Sequence, residues 1–373
     1  MSASDRPRTS YSDAGVDYET LDAGKRAALG QALATSGLMA ARGGLADDAS
    51  RGEPAFAFSL GDQTFGFVVE GLGTKAMIAR AVMEETGEVR FGDVAYDTVA
   101  AIANDLSCIG ALPLVVNAYF ATGSSEWYAH ADRNASLLAG WRQACQDAGA
   151  VWGGGESPSL PGLVSEDEIE LAGAAVGIVP GGRGAILGEA LADGDEIVLV
   201  ESTGLHANGA SLARLLARET PYATPLPSGE SYGSALLRPS AMYVPLVAAL
   251  LEAGVPVHYL SHITGHGFLK LMRPRRDFTY RITALPPVPE VLEFMVERAQ
   301  MDARSAYSTF NMGAGYAVYC AAGAGAAVVE HAAAVGLTAF VAGQVEAGAR
   351  QVVVEPLGVV FGDQDMDLTP KPA

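Results

Sequence analysis

Cysteine and long apolar stretches are scarce in this sequence. Its 373 residues include three cysteines, at positions 108, 145 and 320. An odd number of widely spaced cysteines argues against a disulfide framework and a cysteine-based zinc site, and it favours a reduced, cytoplasmic setting. No stretch reaches the roughly 18 uncharged apolar residues of a membrane-spanning helix, and residues 1–15 lack the apolar segment of a signal peptide. We therefore expect neither a membrane-spanning helix nor a signal peptide.

Positive charge is also scarce. Lysine and arginine together number 24 against 43 aspartates and glutamates, which gives a net charge of −19. Such a chain is poorly suited to bind nucleic acid or an anionic membrane. Lysine occurs at four positions, 25, 75, 270 and 371. If the protein binds a polyanion, a divalent metal and backbone N–H groups must provide most of the neutralisation.

Apolar residues are plentiful, at 49% against 18% charged residues, which is enough for a packed core. At roughly 150 residues per domain the length predicts two domains. We place their boundary at PGGRG, residues 180–184, because proline and glycine break helices and strands. This predicts an arm over residues 1–50, an N-terminal domain over 51–180 and a C-terminal domain over 181–373. Predicted strands outnumber those of a regular strand–helix alternation, so we expect an α+β fold.

Three predicted segments bear on the candidate site. Residues 126–148 and residues 239–253 are predicted as helices. GGGES, at residues 153–157, is predicted as a loop because of its three glycines. Its backbone N–H groups and the Glu156 carboxylate are suited to phosphate and metal binding, with a flexible connector as the alternative.

The segment EGLGTK, residues 70–75, ends a predicted strand and opens a predicted helix. Its glycines permit close backbone approach, and a helix N-terminus favours phosphate or metal-bound phosphate. The spacing differs from that of a P-loop. An ordinary tight turn between strand and helix is the alternative.

Four polar residues lie on the helix predicted over residues 92–110: Asp93, Asp97, Asn104 and Asp105. Asp97 and Asn104 are seven residues apart and therefore share a face. A carboxylate among apolar neighbours is costly unless it is paired or bound to a metal. Helix capping or solvent exposure is the alternative, most readily for Asp93 near the helix start.

Two further loops carry histidines. STGLHANG, residues 202–209, contains His206 and Asn208, which can contact a nucleotide or a reacting amide, and Asn208 can also cap a helix. SHITGHGF, residues 261–268, places two histidines four residues apart. The glycines at 265 and 267 disfavour a regular helix there, so we do not expect a metal-binding pair.

Eight segments, taken in order, resemble the phosphoribosylformylglycinamidine cyclo-ligase family, also called aminoimidazole ribonucleotide synthetases. They are YSDAGVD (11–17), EGLGTK (70–75), YDTVAAIANDL (96–106), YFATG (119–123), GGES with PG (154–162), LHANGASL (205–212), HITGHGF (262–268) and TFNMGAG (309–315). The resemblance implies two mixed α/β-sandwich domains and a homodimer formed through the N-terminal sheets. It also implies an ATP-dependent ligase that phosphorylates an amide oxygen before ring closure in purine biosynthesis.

The resemblance further implies ATP and Mg²⁺ as cofactors, a substrate like formylglycinamidine ribonucleotide, and roles for the matching residues. The implied metal ligands are Glu70, Asp97, Asp105 and Glu156. The implied ATP and phosphate contacts are Gly71, Gly73, Thr74, Lys75, Asn104, Gly154, Gly155, Thr264 and Gly265. The residues implied at the reacting end are His206, Asn208 and Asp97.

Four positions depart from the family pattern. Glu70 stands where the family has aspartate, Ser12 replaces a lysine, Ser159 replaces a carboxylate and His266 replaces a glycine. A side chain at a glycine position is not neutral if the backbone there has a positive φ. These departures leave two alternatives beside the cyclo-ligase: a paralogue acting on a different small amide or phosphate, and a non-catalytic dimeric nucleotide-binding protein.

Overall fold

The structure is a computed structural model, and it describes residues 18–365. The YSDAGVD segment with Ser12 lies outside the described residues. Within them, each half of the chain builds a sheet with helices packed against it, so the predicted α+β class is confirmed. No helix between residues 18 and 365 is long and apolar enough to cross a membrane.

The first half forms a six-stranded sheet in the order β1-β2-β3-β6-β4-β5. Its strands are β1 (Gly44–Asp47), β2 (Phe56–Leu60), β3 (Gln63–Gly71), β4 (Leu112–Thr122), β5 (Val151–Glu156) and β6 (Ile169–Val179). Its helices are α1 (Tyr18–Leu33), α2 (Lys75–Thr86), α3 (Phe91–Ser107) and α4 (Ala131–Asp147). Burial alternates strictly along β6 because only one face of the sheet is covered by α3.

The second half forms a seven-stranded sheet in the order β13-β12-β9-β11-β7-β10-β8. Its strands are β7 (Glu196–Glu201), β8 (Val257–His262), β9 (Phe278–Ile282), β10 (Ala314–Cys320), β11 (Ala339–Ala347), β12 (Gln351–Val354) and β13 (Val359–Gly362). Its helices are α5 (Ala210–Leu216), α6 (Tyr232–Leu236), α7 (Val244–Glu252), α8 (Glu290–Arg298), α9 (Ala303–Tyr307) and α10 (Gly325–Ala334). Strand β10, which lies between β7 and β8, is buried along its whole length.

The predicted GGGES loop is instead strand β5, which pairs in parallel with β4 at the edge of the first sheet. The glycines are needed for this pairing. A Cβ on Gly155 would lie 2.1 Å from the carbonyl oxygen of Ala118, and one on Gly153 would lie 2.4 Å from the Asn117 side chain. The glycine run therefore permits close strand contact, and a reading based on turn signals alone was wrong here.

Two predicted helices begin later than expected. Residues 125–129 form a separate 3-10 turn, in which the Ser124 hydroxyl accepts a hydrogen bond from the Glu126 N–H, and α4 begins at Ala131. Residues 239–243 are not helical, and α7 begins at Val244. The Ser240 and Tyr243 N–H groups donate instead to side chains on α3. Tertiary hydrogen bonds therefore replace the first helical turn.

Candidate functional site

A cleft of about 430 Å³ opens between the two halves of the chain. Its walls come from the end of β3, the middle of α3, the loop before α5 and the segment after β8. The residues that line it are Leu29, Gly52, Glu53, Pro54, Glu70, Gly71, Leu72, Ala101, Asp105, Ala207, Asn208, His262, Thr264, Gly265, His266, Lys270 and Arg273. Six of the sequence-predicted site residues are in this list: Glu70, Gly71, Asp105, Asn208, Thr264 and Gly265.

The acidic part of the cleft is the pair Glu70 and Asp105. Burial and the neighbouring Asp105 charge raise the pKa of Glu70 from 4.5 to about 8, so this carboxyl keeps its proton at neutral pH. Burial alone would also raise the pKa of Asp105, but a hydrogen bond to His262 and the nearby cations lower it. The Asp105 Oδ1 lies 2.6 Å from the His262 Nδ1. The two carboxyl groups are thus held in different protonation states.

The basic part of the cleft is Lys270 and Arg273, which follow the SHITGHGF loop. Burial, together with the Arg273 charge, lowers the pKa of Lys270 to about 7. The Arg273 Nε donates to the Gly52 carbonyl oxygen at 3.1 Å and lies 4.0 Å from the Glu53 carboxylate. Sequence reasoning missed both cations because neither belongs to a recognised motif. The one available signal was the rarity of lysine in this chain.

Asp97 and Lys75 lie outside the cleft and form a fully buried ion pair with each other. The Lys75 Nζ also donates to the His206 carbonyl oxygen at 2.7 Å. The Asp97 Oδ1 accepts hydrogen bonds from the Ser240 N–H and the Ser240 hydroxyl, each at 2.7 Å. These contacts occupy the oxygens of the Asp97 carboxylate and the Lys75 ammonium group. We therefore do not propose Asp97 as a metal ligand or Lys75 as a phosphate contact.

Asn104 has a comparable structural position. Its side-chain N–H donates to the Ala241 carbonyl oxygen at 2.9 Å, and its side-chain oxygen accepts from the Tyr243 N–H at 2.8 Å. The residue is fully buried. It therefore fastens α3 to the segment before α7, and it contacts the cleft only through a small side cavity that it shares with His206.

His206 lies in that side cavity, together with Asn208 and Thr264, which also line the main cleft. Its backbone has a φ of 60°. The His206 Nε2 accepts from the Thr203 N–H at 3.1 Å, and the buried Nδ1 has no hydrogen-bond partner among the described residues. Burial and the nearby His262 and Lys75 charges lower the pKa of His206 well below its usual value, so the ring is neutral at pH 7.

The loop that carries His206 is shaped by Asn311 of the TFNMGAG segment. The Asn311 side-chain N–H donates to the Gly204 carbonyl oxygen at 2.9 Å, and its oxygen accepts from the Ser202 hydroxyl at 2.8 Å. Gly315 backs the ring from the other side. A Cβ at Gly315 would lie 2.9 Å from the His206 Cε1, so only glycine fits there without a shift.

The loop after β8 brings Thr264, Gly265 and His266 to the cleft wall. His266 has a φ of 73°, which is a conformation that favours glycine. The chain therefore keeps the backbone shape expected of a glycine position and adds an imidazole to it. Histidine is among the side chains that tolerate this region best.

Gly73, Thr74 and Lys75 of the EGLGTK segment form a turn and the start of a helix rather than a cleft wall. Gly73 has a φ of 68°, and α2 begins two residues later at Lys75. The Thr74 hydroxyl lies 3.3 Å from the Ser211 hydroxyl, which joins the start of α2 to α5. Gly71 alone of the glycines here lines the cleft.

Gly154, Gly155 and Glu156 lie on β5, three strands away from β3 in the order of the sheet. All three are exposed, and none lines the cleft. A single chain therefore does not bring Glu156 to Glu70 and Asp105.

Comparison with known proteins matches both halves of the chain to one family. Residues 52–179 match the family described as AIR synthase related protein, N-terminal domain, and residues 192–355 match its C-terminal domain. The phosphoribosylformylglycinamidine cyclo-ligase of Methanothermobacter thermautotrophicus is 34% identical over 261 residues, covering 69% of this chain and 73% of that protein. The protein of the same name from Anaeromyxobacter sp. strain Fw109-5 is 36% identical over 297 residues, covering 77% and 81%. The chain belongs to the AIR synthase family.

Solved structures show the fold of this AIR synthase family member in more distant proteins. E. coli HypE, a hydrogenase maturation protein, superposes with a TM-score of 0.57 at 17% identity, covering 83% of this chain and 87% of that one. A HypE in complex with ATP gives 0.58 at 17% identity, covering 79% and 83%. AaThiL complexed with AMPPCP and TMP gives 0.56 at 17% identity, covering 83% and 89%. The prediction of an ATP-dependent enzyme of this family is confirmed by the curated relatives.

The positions of the four predicted ligands show which carboxylates could form the predicted magnesium site. Within residues 18–365, no three His, Cys, Asp or Glu side chains are grouped so as to hold a metal ion. Of the four predicted ligands, Glu70 and Asp105 line the cleft, Asp97 is buried in its ion pair, and Glu156 lies on the distant β5. Mg²⁺ that is bound largely through nucleotide phosphates needs only one or two carboxylates. The pair Glu70 and Asp105 fits that requirement.

The raised pKa of Glu70 predicts a pH dependence of stability. Between the usual value of 4.5 and the folded value of about 8, the folded protein keeps a proton that the unfolded chain releases. Stability from this group is therefore complete below pH 4.5 and is lost as the pH rises through 8. We expect the unfolding free energy of the parent to fall relative to a Glu70→Gln variant by on the order of 2–4 kcal/mol between pH 5 and 8.

Urea unfolding of both proteins at pH 5, 6.5 and 8 measures this difference. The matched control is Glu166→Gln, at an exposed carboxylate outside the cleft. Its difference from the parent should stay constant with pH. A constant difference for Glu70→Gln as well would show that Glu70 is ionised in the folded protein.

Proposed function

We propose that this chain is an ATP-dependent cyclo-ligase that converts formylglycinamidine ribonucleotide to aminoimidazole ribonucleotide, a step of purine biosynthesis, in the cytoplasm. The observation that carries the proposal is the cleft between the two halves. It gathers a carboxyl pair and the His206–Asn208 loop, at positions that match the family motifs, together with two largely buried cations. The three free cysteines, all buried, support a reducing compartment.

Each part of the cleft has a function in this reaction. Lys270 and Arg273 offset the charge of the phosphates, and the backbone of Gly71 and Gly265 permits close approach. Asp105 would hold Mg²⁺ together with Glu70, whose proton the metal would displace, and the metal would offset phosphate charge. ATP supplies the phosphoryl group that converts the amide oxygen of the substrate into a good leaving group.

The His206–Asn208 loop lies beside the reacting amide in this proposal. The neutral ring of His206 leaves one buried nitrogen, Nδ1, without a partner in the described part of the chain. Because the Nε2 accepts a hydrogen bond from the Thr203 N–H, the proton of the neutral ring lies on the Nδ1. The Nδ1 can therefore donate this proton to the reacting amide and take it back as the ring closes. The Asn208 side chain lines both the cleft and the side cavity, so it can orient the amide between them.

The test is the release of ADP and phosphate with and without formylglycinamidine ribonucleotide. We expect release at a rate of at least ten times the background only when this substrate and Mg·ATP are both present. Release with a different amide and not with this one would replace the proposed substrate. Nucleotide binding without turnover on any amide would leave a non-catalytic nucleotide-binding protein.

One observation favours the paralogue as the second candidate. The His266 imidazole lines the cleft at a backbone position with positive φ, where the family has glycine. An added ring in the substrate wall changes the size and the hydrogen bonding of the site. A His266→Gly variant that gains turnover of formylglycinamidine ribonucleotide while losing turnover of another amide would establish this alternative.

We further propose that two copies pack through the outer face of the N-terminal sheet. Strand register places Phe67, Val176, Val115 and Val151 in one row across β3, β6, β4 and β5. Val69, next to this row, is 62% exposed, and Val151 is 64% exposed. A continuous apolar face on one side of a sheet is typical of an interface. A second copy is also the proposed source of Glu156, Gly154 and Gly155 for the cleft, because its own chain does not deliver them.

A charge next to that row should separate the two copies. We expect light scattering to give a dimer mass for the parent at micromolar concentration and a monomer mass for Val69→Asp, because an unpaired carboxylate would be buried in the interface. Leu163→Asp is the matched control, since Leu163 is 81% exposed and lies in the connection between β5 and β6 rather than on a strand. A monomeric parent would contradict the proposal.

A further inference from the structure

A second pocket, of about 390 Å³, lies between α2 and the chain around the end of α5. It shares no lining residue with the cleft described above. Arg80 enters from the N-terminal half, and Arg214 and Arg218 enter from the C-terminal half. Three arginines at one pocket are notable in a chain of net charge −19 with 24 lysines and arginines in all.

Within residues 18–365, only one of the three arginines of this pocket is paired with carboxylates. Arg80 is paired, since its Nε lies 2.6 Å from Glu168 and its guanidinium also lies 2.5 Å from Glu84. Arg214 and Arg218 make no ion pair with any carboxylate between residues 18 and 365. Two unpaired guanidinium groups therefore face a pocket that already contains a third.

Neutral hydrogen-bond donors complete the wall. Tyr222 is only 8% exposed and lines the pocket, and its hydroxyl makes no hydrogen bond within the described chain. Burial raises the pKa of Tyr222 to about 12, so its hydroxyl stays protonated and can donate a hydrogen bond. The Ser211 hydroxyl lies on the same wall.

We propose that the arginine pocket binds a small oxyanion of the phosphate class, either inorganic phosphate or a phosphomonoester. Guanidinium groups match the geometry of phosphate oxygens and bind them through paired N–H donors. A doubly charged anion would offset the repulsion between arginines from the two halves of the chain. It would also join α2, which follows the Glu70 turn, to α5, which follows the His206 loop.

Calorimetric titration of the full chain with inorganic phosphate and with ribose 5-phosphate, at constant ionic strength, tests this proposal. We expect Arg214→Gln and Arg218→Gln each to weaken binding at least tenfold. The matched variant Arg142→Gln, at an exposed arginine on α4, should leave it unchanged. Tighter binding of ribose 5-phosphate than of inorganic phosphate would identify a phosphomonoester as the ligand, and the reverse order would identify inorganic phosphate.

Three results would overturn the proposal. Loss of binding in Lys270→Met, with both arginine variants unaffected, would place the anion in the cleft. If titration with chloride released the same heat as titration with phosphate, the signal would be due to charge screening. If the parent did not bind phosphate, the proposed site would not exist. Melting curves without phosphate check folding. Should Arg214→Gln fail to fold, the exposed Arg218 carries the test, because its loss removes no buried contact.

Discussion

Replacing Asp97 with alanine is expected to lower the free energy of unfolding by about 3–5 kcal/mol. The substitution leaves the Lys75 ammonium fully buried without its carboxylate. It also removes the acceptor of the Ser240 N–H and hydroxyl, which are buried as well. Loss of one member of a buried ion pair is costly because the remaining charge has neither water nor a counter-ion. Urea unfolding measures the effect.

The control for this loss is Asp93→Ala on the same helix. Asp93 pairs with Arg90, but both side chains are about one quarter exposed, so we expect a loss of only about 0–1 kcal/mol. A double variant, Asp97→Leu with Lys75→Met, should recover part of the stability because no buried charge remains. If Asp97→Ala were as stable as the parent, the pair would have to be hydrated in solution, and Asp97 would again be a candidate metal ligand.

Replacing His206 with asparagine is expected to reduce turnover of formylglycinamidine ribonucleotide by roughly 10²–10⁴, the usual range for a general acid–base group. Asparagine is chosen because the φ of 60° at this position strains most other side chains, and asparagine tolerates it. The Lys75 contact to the His206 carbonyl oxygen is a backbone contact and survives the change. The melting temperature should therefore stay close to that of the parent.

Steady-state rates measured beside melting curves distinguish the possible roles of His206. Full turnover in His206→Asn would remove the ring from the mechanism. A large fall in melting temperature would make it a structural residue that supports Tyr243, which lies next to it. A control at Thr203, whose N–H donates to the His206 Nε2, tests orientation alone: Thr203→Val keeps that N–H, so turnover should fall less than tenfold.

The cleft could be predicted from the sequence to the extent that its walls are loops with glycine and polar residues. Glu70, Asp105, Asn208 and Thr264 come from four separate segments, and the structure brings all of them to one cavity. Their convergence followed from the order of the motifs and from the family resemblance. The composition alone gave no reason to join them.

Lys270 and Asp97 show why the rest could not be predicted. The sequence indicated that a carboxylate on the apolar helix α3 needs a partner, and it left open whether the partner was a metal or a cation. Lys75, the actual partner, is 22 residues away on another helix, so only the packing of α2 on α3 reveals it. Lys270 belongs to no sequence motif. Its lowered pKa results from burial and from the neighbouring Arg273 charge, which only the folded structure reveals.

The segment before α7 has a consequence for folding. Residues 240–243 belong to the C-terminal half, yet the Ser240 and Tyr243 amides bond to Asp97 and Asn104 of the N-terminal half. These amides can exchange their hydrogens with solvent only when the two halves separate. Their protection therefore reports the cooperativity of the whole chain. During synthesis, the Asn104 side chain on α3 lacks these partners until more than 130 further residues have followed, so this part of the N-terminal half is completed only when the C-terminal half arrives.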